Sequence, residues 1–417
     1  MKIFNKYFSK FGNSIYILFN SVLDRGIFFI LYVFLAHSVS KTEYGFIITV
    51  FAFTNILQGI FDLGLPFYIQ REIAGGTNFS AKINSILYIK LISLFLYVPV
   101  PIIYFALSSD VNIILVIIIS IINFCWGISG IFNAVFYGSN TYKESSIYLL
   151  ISRTILIITF LILIFTNTST EILLLSFVLS FLVHLKFFTT HLKNRGIKLF
   201  KDKIKINFFG KDLKSSIPMG LGVIFVLIYD RADILILQKV SGLEIVAFYA
   251  VAYSLYRSMQ VFSTMVLIPK YTAFSKSFSS GRALNQNEVI HTLLFLIAVG
   301  CIIITILNIF PNILIRIFYT SSYLPSGRIL KYLAWGFGGV LLNNYTGVIL
   351  NSIRKEKIPA VSTGIGAFIN VILNIIFILK MGVWGAVITT VITEYFVFIL
   401  QLSMLLYYKK KNILFLN

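Results

Sequence analysis

Charged residues are scarce in this chain, and their scarcity excludes an ordinary water-soluble protein. Only 12% of the 417 residues are charged, whereas 58% are hydrophobic. Soluble domains carry about 25% charged residues, so this chain lacks the polar side chains that a water-facing surface needs. A helix that crosses a bilayer requires about 20 mostly apolar residues. Twelve such helices with short loops account for the whole length, which leaves no room for a separate soluble domain.

Cysteine, histidine and acidic residues are also few. Cys125 and Cys301 both fall inside apolar runs, so we expect neither a disulfide framework nor a metal site. The four histidines show no metal-ligand spacing. The 15 acidic residues stand against 35 basic ones, which gives a formal net charge of +20. Because the basic residues lie in short loops between apolar runs, no basic module remains that would bind nucleic acid.

Motifs of catalysis are missing as well. The sequence contains no P-loop, so ATP is not expected as a direct energy source. No nucleophile–base pair stands out, and we expect no cofactor. These absences favour a transporter over an enzyme.

Apolar runs bounded by charges, Gly, Pro or Asn predict an all-α integral membrane protein with about twelve spans. The predicted spans are 13–36, 44–66, 82–107, 112–136, 146–166, 171–192, 215–238, 246–269, 289–311, 327–351, 358–379 and 383–408. The segment 311–327 fits a span poorly because Arg316 and Pro325 flank a polar stretch. At the end of the second span, the Gly64-Leu65-Pro66 sequence predicts a kink within a longer helix, which places Asp62 deeper than the hydropathy edge.

The distribution of Lys and Arg predicts the orientation. With the N-terminus in the cytoplasm, the inside segments hold 24 of the 35 basic residues and the outside segments hold six. Cytoplasmic loops carry the excess of Lys and Arg in membrane proteins. Both termini are therefore expected in the cytoplasm, and the strongly basic segment 193–214 is expected to be a cytoplasmic linker.

That linker divides the chain into two predicted lobes of six helices, 1–192 and 215–417. Three segments of the first half resemble segments of the second half in the same order. The pairs are 23–25 with 229–231, 43–45 with 247–249, and 138–144 with 351–356. Six spans per half make the repeats parallel, and transporters of this type bind substrate between their repeats.

Several charges fall inside the predicted spans. Asp24 and Arg25 lie about 12 residues into the first span, near the bilayer centre. A lone charge there costs at least about 2.5–3.5 kcal/mol, so the two side chains either neutralise each other or line a cavity. Asn13, Asn20 and Asp24 share one helical face, which indicates a polar stripe.

The seventh span holds Asp230, Arg231 and Asp233, which either line a cavity or lie at the outer interface. Lys90 and Arg153 enter from the inside end of their spans and either reach back to the cytoplasmic surface or line a cavity. Arg257 lies near the middle of the eighth span, beside a stripe of tyrosines. An interior cation beside aromatic hydroxyls suits an anionic or sugar-bearing substrate.

Two weaker polar stripes occur in the last two spans. Asn370 and Asn374 share a face with Thr363, and Glu394 shares a face with Thr390 and Gln401. Hydrogen bonding between helices explains such stripes at least as well as substrate contact does.

Degenerate motifs along the full length resemble those of a known family. They lie at 42–45, at 62–66 running into 71–74, at 229–231 with 248–253, and at 323–330. In these motifs the chain resembles the Wzx-type O-antigen and polysaccharide flippases of the multidrug/oligosaccharidyl-lipid/polysaccharide (MOP) exporter superfamily. The resemblance implies two MATE-like six-helix lobes around a cavity that opens alternately to the two sides of a bacterial cytoplasmic (inner) membrane.

The resemblance also implies the cargo, which is an undecaprenyl-diphosphate-linked oligosaccharide, the repeat unit of O-antigen, lipopolysaccharide or capsule. It implies membrane lipids, coupling protons or Na⁺, and polymerase and chain-length proteins as partners. In a cationic cavity, the diphosphate would meet Arg25, Arg153, Arg231, Arg257 and Lys90. The acids that would position these cations or carry protons are Asp24, Asp62, Asp230 and Asp233.

Three alternatives remain at the level of sequence. A cation-coupled multidrug exporter of the same fold predicts an acid-rich cavity, and a lipid II flippase predicts fourteen spans. A membrane glycan polymerase, from a different functional class, predicts large outside loops, which this chain lacks.

Overall fold

The computed structural model describes residues 14–76, 79–107, 111–166, 168–197, 199, 206–280 and 284–410. Helices account for nearly all of these residues, and no strand occurs among them. The first half contains eight helices: α1 Ser14–Ser38, α2 Lys41–Asp62, α3 Leu65–Ala74, α4 Phe79–Tyr97, α5 Pro99–Ala106, α6 Ile113–Gly138, α7 Tyr142–Phe165 and α8 Thr170–Asn194.

The second half contains nine helices and a short 3₁₀ turn. They are α9 Ile206–Ser241, α10 Leu243–Ser258, α11 Gln260–Ser279, α12 Gln286–Ile309, α13 Pro311–Phe318, the 3₁₀ turn Ser321–Tyr323, α14 Pro325–Leu333, α15 Gly336–Ser352, α16 Lys357–Met381 and α17 Val383–Lys410. The segment 311–327, which fits a membrane span poorly, thus contains α13, the 3₁₀ turn and the start of α14.

The helices confirm the predicted all-α membrane fold. Each of the twelve predicted spans coincides with one helix or with two consecutive helices. The eighth span is divided into α10 and α11, and the tenth coincides with α14 and α15. Nine stretches among the described residues are long and apolar enough to cross a membrane. The chain is therefore a multi-pass membrane protein.

The predicted kink in the second span is confirmed. Helix α2 ends at Asp62, and Gly64 has a φ of 76°, which is a left-handed conformation that L side chains rarely adopt. Pro66 then occupies the first turn of α3, where its missing N–H costs nothing. A Cβ atom on Gly64 would lie 2.6 Å from the Ser216 carbonyl oxygen, so this backbone approach also requires glycine.

The described helices pack into two units. The N-terminal unit comprises the described residues of Phe19–Ile27 and Phe46–Leu227, and the C-terminal unit comprises those of Met1–Leu18, Phe28–Gly45 and Ile228–Asn417. Aromatic rings fill the core of the N-terminal unit, where Phe132 stacks on Phe188 at 4.0 Å. Within the basic segment 193–214, positions 198 and 200–205 lie outside the described residues, and α9 begins within the segment at Ile206.

Candidate substrate-contacting charge clusters

A buried ion pair in the N-terminal unit joins α1 to α7. Arg153 is only 5% exposed, and its Nε donates to Asp24 Oδ1 at 2.8 Å. Its Nη1 donates to Ser180 Oγ at 3.3 Å, and its guanidinium carbon lies 5.7 Å from the centre of the Trp126 ring. The structure thus shows Arg153 held by an acid inside the unit and not reaching back to a surface.

A second ion pair in the N-terminal unit joins α2 to α4. Lys90, only 1% exposed, pairs with Asp62. The Lys90 ammonium lies 5.4 Å from the centre of the Phe124 ring. The interpretation that Lys90 reaches back to the cytoplasmic surface is therefore wrong. Asp62 is the last residue of α2, and its carboxylate, 14% exposed, is the partner of this buried amine.

The polar stripe of α1 packs inside the same unit. Asn20 is buried, and its Nδ2 donates to the Tyr137 hydroxyl at 2.9 Å. Asp24, one turn later on this face, meets Arg153. Asn13 lies outside the described residues. Arg25, the neighbour of Asp24, is exposed.

In the C-terminal unit, Asp230 is the centre of a charge cluster. Arg257 Nη2 donates to Asp230 Oδ2 at 2.9 Å, and Arg231 Nε lies 3.5 Å from the same oxygen. The Tyr253 hydroxyl donates to Asp230 Oδ1 at 2.7 Å. The carboxylate is buried, whereas the Arg257 side chain is 39% exposed. We call Asp230, Arg231, Tyr253 and Arg257 the Asp230 cluster.

Two more acids, Asp233 and Glu394, are buried in this unit. Asp233 accepts hydrogen bonds from the Tyr249 hydroxyl and, at 2.8 Å, from the backbone N–H of Ile234. Glu394 Oε2 accepts from Asn343 Nδ2 at 3.4 Å. Both carboxylates are therefore hydrogen-bonded within the unit.

The two weaker stripes make bonds between helices, as one of the two interpretations predicted. Asn370 Nδ2 on α16 donates to Thr393 Oγ1 on α17 at 3.1 Å. Gln401 Nε2 on α17 donates to Asn343 Oδ1 on α15 at 2.8 Å. These contacts hold the last helices together through polar side chains that lipid cannot satisfy.

The structure therefore brings the predicted acids and cations together in separate groups. Asp24 meets Arg153, Asp62 meets Lys90, and Asp230 meets both Arg231 and Arg257; Asp233 is held by a tyrosine. Sequence reasoning missed the partners Ser180, Trp126, Phe124 and Asn343. No cluster of three or more His, Cys, Asp or Glu side chains that could hold a metal ion occurs in the described part of the chain.

The comparison with known families decides the affiliation. The family model described as polysaccharide biosynthesis protein matches residues 11–278, which is more than half of the chain. The chain belongs to the polysaccharide biosynthesis protein family. A second model, MatE, matches residues 218–376 in the other half.

Solved structures show the same fold for this polysaccharide biosynthesis protein. A multidrug resistance MATE family transporter of the MOP superfamily, in an inward-facing conformation, is 13% identical with a TM-score of 0.66, over 96% of this chain and 94% of that one. A MOP superfamily transporter from Pyrococcus furiosus is 14% identical with a TM-score of 0.67, over 97% and 96%. The lipid II flippase MurJ, in an inward closed conformation, is 17% identical with a TM-score of 0.68, over 94% and 87%.

A curated relative matches only in part. The uncharacterized membrane protein MJ1068 of Methanocaldococcus jannaschii is 34% identical over 93 residues, which cover 22% of this chain and 18% of the relative. The sequence match therefore shows the family, and the solved structures show that its fold is the one found in MATE transporters and in MurJ.

Proposed function

We propose that the protein flips an undecaprenyl-diphosphate-linked oligosaccharide from the cytoplasmic to the outer leaflet of the cytoplasmic membrane. The family match over residues 11–278 supports the cargo class, because polysaccharide assembly requires lipid-linked sugars to cross the bilayer. The structural observation that carries the proposal is the Asp230 cluster. It presents two partly exposed arginines, Arg231 of α9 and Arg257 of α10, beside the Tyr253 hydroxyl.

The chemistry of the cluster suits a diphosphate. Guanidinium groups bind phosphate oxygens through two parallel N–H bonds, which a lysine ammonium cannot reproduce. Asp230 accepts from Nη2 of Arg257, so the other N–H groups of that guanidinium are available to an anion. The carboxylate also offsets part of the positive charge, which keeps the affinity low enough for the cargo to leave.

The state of the acids favours anionic cargo over the cationic drugs of a multidrug exporter. Asp24 and Asp62 are each paired with a basic side chain, and Asp233 is hydrogen-bonded to Tyr249. A lipophilic cation would have to displace these partners. A lipid II flippase would use the same diphosphate chemistry, so only a comparison of cargoes separates it from the proposal.

The test is flipping in reconstituted vesicles with three cargoes: fluorescent undecaprenyl-diphosphate-oligosaccharide, fluorescent lipid II and a cationic dye. We expect flipping of the oligosaccharide lipid, and at least a tenfold loss in Arg257→Ala. Lys276→Ala, at an exposed position on α11, is the matched control and should flip normally. Preferential movement of lipid II or of the dye would overturn the cargo assignment.

The same proposal includes cytoplasmic termini and coupling to protons or Na⁺. Cooperation with a polysaccharide polymerase and a chain-length protein would follow from the cargo. An imposed proton or Na⁺ gradient across the vesicles, applied one ion at a time, tests the coupling.

A further inference from the structure

Helix α14 of the C-terminal unit has two contrasting faces. Ile329, Leu330 and Leu333 are buried. The opposite face exposes Arg328, Lys331 and Tyr332, and Trp335 is exposed two residues after the helix ends. The exposed positions follow a spacing of three and four residues, so the side chains lie along one side of the helix. A short helix with a basic and aromatic outer face is typical of segments that lie in a membrane interface.

The aromatic rings of this face hold the basic groups in place. The Arg328 guanidinium carbon lies 5.6 Å from the centre of the Trp384 ring, and Tyr332 contacts the same indole edge to face at 5.3 Å. Trp384 belongs to α17, against which α14 packs. Arg328 is thus oriented by a stacking partner although it is exposed.

Neighbouring elements extend the surface. Helix α13 buries Ile315 but exposes Ile313, Arg316 and Ile317, and it packs against α14. Lys380 is exposed near the end of α16, four residues before Trp384. We call the exposed side chains of α13 and α14, with Trp335, Lys380 and Trp384, the basic–aromatic surface.

The charge on this surface has one sign. It carries four cations. Between Glu288 and Glu394 the sequence contains a single acidic residue, Glu356. By the predicted topology, four of the six outside cations belong to it. Of the other two, Lys41 forms an ion pair with Glu244 at 2.6 Å. Since Lys and Arg are depleted from the outside segments of membrane proteins, four of them on neighbouring helices suggest an anionic neighbour.

We propose that the basic–aromatic surface binds the anionic headgroups of phospholipids in the outer leaflet. Exposed Ile313 and Ile317 would enter the acyl region, Trp335 and Tyr332 would lie at the headgroup level, and the four cations would meet the phosphates. Interfacial Trp and Tyr take this position in membrane proteins. Each Lys or Arg near an anionic surface contributes roughly fivefold to binding. This site is separate from the Asp230 cluster and does not depend on the cargo.

The test uses tryptophan quenching by brominated lipids in reconstituted vesicles, with Trp126→Phe in every protein so that Trp335 and Trp384 are the two remaining indoles. Trp335 and Trp384 lie on the surface, and Trp384→Phe identifies the contribution of the stacked indole. At equal mole fractions, we expect brominated phosphatidylglycerol to occupy the site about threefold or more in preference to brominated phosphatidylcholine. Substitution of Arg316, Arg328, Lys331 and Lys380 by Gln should reduce this ratio to about one.

A matched control carries Gln at four exposed cations of the opposite predicted side: Lys276, Arg354, Lys357 and Lys409. It should keep the preference at the two indoles. In the unmodified chain, about 1 M salt should remove the preference, and millimolar inorganic phosphate should not. Equal quenching by both lipids, a preference that survives in the fourfold Gln variant, or displacement by free phosphate would each overturn the proposal.

Discussion

Arg153 donates a hydrogen bond to Asp24 across 2.8 Å, although 129 residues separate the two in the chain. The bond connects α7 to the middle of α1, the helix whose residues 19–27 pack in the N-terminal unit. Asp24 was expected to be neutralised by its neighbour Arg25 or to line a cavity. The structure gives its carboxylate a buried partner on another helix.

A double-variant cycle measures this pair. Removing one member of a buried ion pair costs about 3–5 kcal/mol because it leaves an uncompensated charge. Since Asp24 keeps some exposure, we expect the lower end of that range for Arg153→Gln. Asp24→Asn with Arg153→Gln should recover most of the loss in thermal stability in detergent. The combination of Asp24→Asn with Arg25→Gln should recover less, because Arg25 is exposed. Equal recovery in both combinations would contradict the pairing.

The same variants separate a structural role of Asp24 from a proton-carrying one. If Asp24 only neutralises Arg153, the double variant should flip cargo again. If Asp24 carries the coupling proton, the double variant should remain as inactive as Asp24→Asn, with no response to a proton gradient. The readout is flipping in vesicles with and without an imposed gradient.

Arginine should be required at the predicted cargo contacts. We expect Arg257→Ala and Arg25→Ala to abolish surface polysaccharide while protein abundance stays largely normal. In Arg257→Ala, the buried Asp230 carboxylate keeps Arg231 and Tyr253 as partners. Arg257→Lys should be partly active, because lysine supplies the charge without the fork. Normal export by both alanine variants would remove these positions from the cargo path.

Glycine 64 should be indispensable for the kink. Gly64→Ala combines a left-handed conformation, which costs roughly 1–2 kcal/mol for an L residue, with a clash at the Ser216 carbonyl oxygen. Gly76 has a similar φ of 79° but no atom within 4 Å of an added Cβ. Gly76→Ala is therefore the matched control and should lose only the conformational part. The measurement is the midpoint of thermal unfolding in detergent, and equal losses would argue against the clash.

Cysteine accessibility tests the topology. In a variant without Cys125 and Cys301, single cysteines at 198 and 410 should resist an impermeant reagent applied to intact cells. A cysteine at Glu244, which is exposed and on the predicted outer side, should react. Labelling at 198 or 410 in intact cells would reverse the predicted orientation.

Local sequence patterns were sufficient for the helices. Apolar run length predicted the spans, and the Gly64-Leu65-Pro66 sequence predicted the break after Asp62, because both signals are local in the chain. The division of the eighth span into α10 and α11 was not predicted. The boundary lies at Met259, between Ser258 and Gln260, where no Gly or Pro marks a break, so the polar residues there were interpreted as a stripe on one continuous helix.

The sequence did not predict which acidic side chain forms an ion pair with which basic side chain. Asp24-Arg25 and Asp230-Arg231 look alike in the two halves, yet Asp24 pairs with α7 and Asp230 pairs with α10. The packing of the helices determines which basic side chain lies next to each acid, and this packing cannot be read from a single sequence. The tyrosine stripe beside Arg257 was visible because Tyr249, Tyr253 and Arg257 follow helical spacing.

Lys90 gives the chain an internal chemical reporter. Among the described lysines it is the one that is buried, and its amine forms an ion pair with the Asp62 carboxylate. An acylating reagent must reach a free, uncharged amine, so the native fold should leave Lys90 unmodified while exposed lysines react within minutes. Modification of this one side chain, followed by mass spectrometry, therefore records opening of the α2–α4 contact in whole membranes, without purification or a fluorescent label.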